Sequence, residues 1–176
     1  AENRLEGYLF PDTYQFYKNE APEDAISRLL DNFQNKCTSA METEAAMLGY
    51  TPRQILTIAS LIEKEAGSDA ERATIASVIY NRLNSSSFPY LNIDATVQYV
   101  LPERKEKLTY ADLEIDSPYN TYKYPGLPVG PISNPGLASI QAALNPENTG
   151  YYFYALNKDG VHNFFTNSAD HDAFVN

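Results

Sequence analysis

The chain has 176 residues, 43% hydrophobic and 20% charged, a composition that folds as one ordinary domain or as a domain with a small appended lobe. Thirteen basic against 23 acidic residues give a formal net charge of -10. That balance leaves no basic stripe for a phosphate backbone or an anionic lipid surface, so neither nucleic acid nor membrane docking is expected.

No run approaches the roughly 20 apolar residues of a spanning helix. The sequence opens at "AENRLEGYLFP" without a charged and apolar leader, which fits either a cytosolic protein or the soluble part of something longer. Cys37 is the only cysteine, so an intrachain disulfide and a cysteine-based zinc cluster are both excluded. It reads as a small filler on a helix, with only Lys36 nearby to activate a thiolate.

In chain order, "LEGYLFPDTYQFY" reads as extended chain with a turn, from its aromatics, Gly7 and Pro11. A helix is expected from Pro22 to Gly49, carried by Ile26, Leu29, Leu30 and Phe33 at helical spacing. A second helix starts with Thr51 as cap and Pro52 at its first position and stops at Gly67. A third follows almost without linker, with Ser68 and Glu71 at capping-box spacing and Ile75, Val78, Ile79 and Leu83 on one face. Two helices so tightly joined are expected to pack as a pair.

From "SSSFPYLNIDATVQYVLP" to "SPYNTYKYPGLPVGPISNPG" the chain is rich in proline, glycine, asparagine and tyrosine, with one short helix near Thr96 to Leu101. So long an irregular stretch inside a domain is more often a binding loop than a defect. Helix resumes in "SNPGLASIQAALNP" with Asn134 as cap, and "YYFYALNKDGVHNFFT" reads as a hairpin turning over Asn157 to Gly160. The fold class is therefore α+β: a helical core, a long irregular loop and a small C-terminal β-hairpin.

The stretch "LTIASLIEKEAG" places two acids at the end of an apolar helical run. At about 100° per residue, Ile55, Ala59, Ile62 and Ala66 mark the middle of the apolar face, with Glu63 and Glu65 roughly 80° to either side and Lys64 pointing away. Both acids thus border a buried surface, where desolvation raises a carboxyl pKa and suits it to donate a proton. Periodicity does not choose between them, and solvated flanking residues would look the same.

Seven ordered segments, "LEGYLFPDTY", "ASLIEKEA", "ASVIYNRL", "DATVQY", "YNTY", "GLPVGPISNPGLASIQAALNP" and "HNFFT", resemble the YceG-like family of endolytic murein transglycosylases over nearly the whole chain. Val129 stands where that family usually has a second proline. The resemblance implies that the first acid of the E-K-E element, Glu63, is catalytic, with Glu65 a helix-flank or supporting residue. It also implies a catalytic domain over 21–176 and, in 1–20, the remnant or edge of an N-terminal LysM-like subdomain.

The implied reaction cleaves the β-1,4 bond between N-acetylmuramic acid and N-acetylglucosamine without water, as the muramic C6 hydroxyl closes a 1,6-anhydro ring. One acid suffices, whereas a hydrolase needs a second carboxyl group about 5 to 9.5 Å away. Glu65, on the other flank of the helix, looks poorly placed for that second role. Sugar-binding candidates are Asp94, Gln98, Tyr99, Asn120 and Tyr122, with Asn120 favoured to orient an acetamido group. His162 is expected to support the cleft by hydrogen bonding; with His171 it matches no standard metal spacing, and no metal or other cofactor is expected.

The resemblance further implies peptidoglycan strands as substrate, penicillin-binding proteins as partners, and work at the outer face of the cytoplasmic membrane on a parent anchored by an N-terminal helix. Two rival readings are a non-catalytic peptidoglycan-binding or scaffold module and a pyridoxal-phosphate lyase. The second lacks any glycine-rich phosphate loop.

Overall fold

The computed structural model describes residues 5–37 and 39–175, with eight α-helices and one two-stranded sheet. The helices are α1 (Pro22–Lys36), α2 (Ser39–Leu48), α3 (Pro52–Glu65), α4 (Arg72–Leu83), α5 (Asp94–Val100), α6 (Tyr110–Leu113), α7 (Leu137–Leu144) and α8 (Ser168–Val175). Strands β1 (Phe153–Leu156) and β2 (His162–Phe165) form an antiparallel hairpin in which Phe153 pairs with Phe165 and Leu156 with His162. The expected α+β architecture is the one found.

Helix α3 is the axis of the domain. Thr51 and Gln54 close a reciprocal capping box, Pro52 opens the helix, and such a cap stabilises by about 1 kcal/mol. Every residue from Ile55 to Ile62 is buried, so α2, α4, α5 and α7 surround its middle and only its first and last turns emerge. Burying side chains such as Leu56, Leu61 and Ile62 is worth about 1.5–3 kcal/mol each. The tight connection to α4 makes those two helices neighbours, as expected, and the Tyr80 hydroxyl of α4 donates to the Ala143 carbonyl of α7 at 2.7 Å.

Several expectations are corrected. The single helix foreseen over 22–49 breaks at Cys37, whose φ of -109° and ψ of 74° leave the helical region. The break lets α1 lie outside, Phe33 against the Tyr8 ring at 5.2 Å, while α2 sends Met41 and Ala45 inward. Cys37 therefore caps α1 rather than filling a helix, and burial pushes its thiol up to about 11.

Ser68 makes no side-chain cap; a 3-10 turn over Asp69–Glu71 precedes α4, and Glu71 looks elsewhere for its partners. Asn134 does not cap α7 either, since Gly136 occupies that position. Its Oδ1 accepts instead from the backbone of Gly7 at 2.8 Å and Leu9 at 3.0 Å, stitching the start of the chain to the loop before α7. Gly7, at φ +91°, lies so close to Pro131 that a Cβ would sit 2.7 Å from its Cγ, and Phe10 joins the core. Helices α6 and α8 were not foreseen at all.

The hairpin is as expected: Asn157 Oδ1 accepts from the backbone of Asp159 and Val161, and Gly160 adopts φ +77°. Two strands alone are marginal in water, so the hairpin depends on its anchors to the helices. Asn81 donates to the carbonyls of Thr149 and Tyr151, and Arg82 to that of Tyr152 at 2.6 Å.

Candidate active site

Because α3 is enclosed up to Ile62, its polar tail fans out at one place, the end of the core. Two cavities meet there, one of about 470 Å³ and one of about 500 Å³, and Glu65 and Asp94 border both. The first is walled by Arg82, Asn92, Tyr122, Tyr152, Phe153 and Tyr154, with His171 and Asp172 of α8 at its side. The second is bordered by Glu63, Lys64, Gln98, Tyr99, Arg104 and Lys105. Lys64, expected to point away, thus belongs to the cleft.

The two glutamates have different settings. Glu63 Oε2 accepts from the backbone N–H of Gly136 at 3.1 Å and the Ser139 hydroxyl at 2.6 Å, and lies 3.6 Å from Arg72 Nη1. Arg72 also donates to Ser139 at 2.7 Å. Glu63 therefore fastens the end of α3 to the start of α7. Glu65 was expected as a helix-flank or supporting residue; the structure puts it where the two cavities join.

Burial pushes the Glu65 carboxyl above its ordinary range and the Asp94 charge adds to this, opposed by the hydrogen bond from Tyr154 and by His162. Glu65 also ends a helix, where the negative pole disfavours an anion. The Tyr154 hydroxyl donates to Glu65 Oε2 at 2.8 Å, and burial beside that carboxylate drives the phenol well above its ordinary value. Behind Tyr154, the His162 ring packs edge-on at 5.2 Å, and its Nδ1 lies 3.0 Å from Glu71.

Glu71 also accepts from the backbone N–H groups of His162 and Gly67. Burial pushes its carboxyl up, yet these bonds and the His162 charge prevail and leave it below the ordinary value. The His162–Glu71 pair thus locks β2 to the α3–α4 turn and holds Tyr154 from behind. His162 lies behind Tyr154 and lines neither cavity.

Of the other candidates, Asp94 accepts from the Tyr122 hydroxyl at 2.5 Å, and both face the first cavity. Gln98 borders the second cavity with both ends of its amide spent on the Lys105 backbone, at 2.8 and 3.0 Å, which holds the 101–109 loop in place. Lys105 in turn reaches Asp112 at 2.6 Å, a buried carboxylate that caps α6. The Tyr99 ring lies 4.9 Å from that of Tyr119, tilted by 52°, and its hydroxyl donates to Glu6.

Asn120 is not in the cleft. It is fully buried, donates to the Leu113 and Ile115 carbonyls at 2.8 Å each and accepts from Tyr122 N–H at 2.9 Å, so its polar atoms organise the loop and leave nothing for an acetamido group. Sequence reasoning missed Tyr154, Arg82 and Asn92 as cavity residues; His171, weighed with His162 only against a metal, borders the first cavity with Asp172. Among these only Arg82 carried a signal, a charged residue next to the apolar face of α4. Among the described residues no group of three His, Cys, Asp or Glu could hold a metal, and no helix is long and apolar enough to cross a membrane.

Fold and cleft together define a small α+β domain with a carboxyl held between two aromatic and polar cavities. The chain belongs to the YceG-like family, whose model matches residues 1–176. It is 43% identical over 156 residues to an endolytic murein transglycosylase of Bacillus subtilis (strain 168), covering 89% of this chain and 43% of that protein. It is 36% identical over 181 aligned positions to one of Streptococcus pneumoniae (strain ATCC BAA-255 / R6), covering 99% of this chain and 32% of the relative. A crystal structure of a yceG-like protein from Listeria monocytogenes superposes with a TM-score of 0.88 at 42% identity, over 97% of this chain and 55% of that one. The chain thus spans less than half the length of these curated relatives.

Proposed function

We propose that this domain is an endolytic peptidoglycan lytic transglycosylase that cuts the muramic acid to glucosamine β-1,4 bond with Glu65 as its acid. The observation that carries the reading is the setting of Glu65: partly buried, raised in pKa, and at the junction of two cavities large enough for sugar rings. Its support in kinship is the name shared by the relatives in Bacillus and Streptococcus.

Glu65 donates its proton to the glycosidic oxygen as the C1–O4 bond breaks. Asp94, bordering both cavities, places a negative charge that favours the cationic sugar and disfavours early loss of the Glu65 proton. The muramic C6 hydroxyl oxygen then bonds to C1, and its proton returns to Glu65, which restores the acid without water. Tyr154 orients the carboxyl throughout, by holding Oε2.

This assignment moves the acid from Glu63 to Glu65, because Glu63 Oε2 fastens α7 and faces the Arg72 cation. It also keeps one donor for both proton transfers. The setting is extracytoplasmic, where strands are polymerised by penicillin-binding proteins. The experiment is digestion of purified peptidoglycan by the wild type, Glu65→Gln and Glu63→Gln, with products read by mass spectrometry. Anhydromuramyl ends from the wild type and Glu63→Gln, but not from Glu65→Gln, are expected. Reducing ends would mean hydrolysis, and binding without cleavage by the wild type would mean a peptidoglycan-binding module.

A further inference from the structure

Arg82 is a cation in an unusual position. It is only 8% exposed, on α4, and among the described residues it has no carboxylate partner at ion-pair distance. Its Nε donates to the Tyr152 carbonyl at 2.6 Å, and Nη1 serves the Tyr90 and Leu91 carbonyls and Asn92 Oδ1 at 2.8, 3.1 and 2.9 Å. Its guanidinium lies 4.8 Å from the centre of the Phe153 ring. Asn92 adopts φ +53° in presenting its side chain, a conformation that asparagine tolerates better than most residues.

These contacts fix the guanidinium plane and leave the two N–H bonds of Nη2 without an acceptor among the described residues. No fully enclosed side-chain nitrogen or oxygen lacks a partner there, so Nη2 is not sealed off, and Arg82 lines the first cavity. A buried guanidinium held by neutral carbonyls, with one edge open to a cavity, is a preorganised receptor for a carboxylate or carbonyl oxygen. The exposed Lys64 and Arg104 of the second cavity offer charge on flexible stems, which is worth far less per contact.

Resting on the reading that the cleft takes a glycan strand, we infer that the first cavity is the muramic-acid side of the cleft and that Arg82 Nη2 binds the oxygen of the 3-O-lactyl group. The lactyl group is the one substituent that muramic acid has and glucosamine lacks. Arg82 is then a specificity residue, and it sets the direction in which a strand lies across Glu65: muramic ring among Tyr122, Tyr152 and Phe153, leaving sugar in the second cavity.

Because Arg82 also braces two segments, 90–92 and Tyr152, its replacement could unfold the domain, so the test leaves it in place. The full chain carrying Glu65→Gln is titrated with peptide-free GlcNAc-MurNAc tetrasaccharide and with chitotetraose, while the guanidinium N–H signals of Arg82 are followed by NMR. The muramyl ligand is expected to displace those signals and to bind at least about tenfold tighter, the effect of one charge-assisted hydrogen bond. Equal displacement by chitotetraose would mean that Nη2 reads an acetamido carbonyl, and that result, or no displacement by either sugar, overturns the inference. Cleavage of peptidoglycan to anhydro ends by the wild type is scored separately, so loss of that activity sinks the functional reading, while activity with an indifferent Arg82 sinks only this one.

Discussion

The Tyr154 hydroxyl donates to Glu65 Oε2 at 2.8 Å, joining strand β1 to the last turn of α3 across 89 residues of sequence. Burial raises the Glu65 carboxyl, and this bond acts against burial by favouring the anion. In Tyr154→Phe the proton is therefore held to higher pH. Cleavage rates across pH are expected to show the basic limb displaced upward, with the maximal rate lowered by about tenfold, the size of one lost orienting hydrogen bond. A basic limb that stays in place would deny Tyr154 any influence on Glu65.

Glu65→Gln removes the donor, and a loss of about 10²–10⁴-fold in cleavage is expected from that alone. Its effect on stability has the opposite sign. The folded carboxyl is raised above its ordinary 4.5, so the native state binds a proton that the unfolded chain has released, and stability falls as pH climbs through that window. The variant escapes this cost. Thermal unfolding should find it more stable than the wild type at pH 7, with the difference vanishing below the ordinary carboxyl value.

Glu63→Gln keeps an oxygen that can accept from Gly136 and Ser139 but gives up the charge facing Arg72. Cleavage within about tenfold of wild type is expected, with stability lowered by about 1 kcal/mol for a partly exposed pair. Ser139→Ala is the sharper disruption. Ser139 is fully buried between Glu63 and Arg72, and its loss is expected to cost about 1–3 kcal/mol in chemical denaturation.

Asn120→Ala tests the reassignment of that residue from ligand to brace. Three part-buried backbone groups lose their partner, for about 2–4 kcal/mol, which near this size lowers the melting temperature by roughly 2–4 °C per kcal/mol. A variant that melted like the wild type while losing affinity for glycan would return Asn120 to the binding surface.

What the sequence disclosed was local. Thr51, Pro52 and Gln54 lie within four residues, so the start of α3 could be read, as could the Asn157 turn, whose Oδ1 accepts from Asp159 and Val161 within four residues. The helical wheel put Glu63 and Glu65 beside buried surface for the same reason. Their different settings were out of reach, because those are made by Ser139 for one and Tyr154 for the other, partners 76 and 89 residues away. Asn134 and Ser68 mislead alike: their types suit a cap, but Asn134 is recruited by Gly7 and Leu9, and Glu71 by His162. The α8 helix has so little amphipathic pattern that nothing in its spacing announced it.

Glu65 stands one turn beyond a stretch of helix that is enclosed from Ile55 to Ile62. Its backbone is in effect the end of a rod held by its neighbours, so if Glu65 is the acid, its position is set by the core while the walls of the two cavities are built by the hairpin and loops.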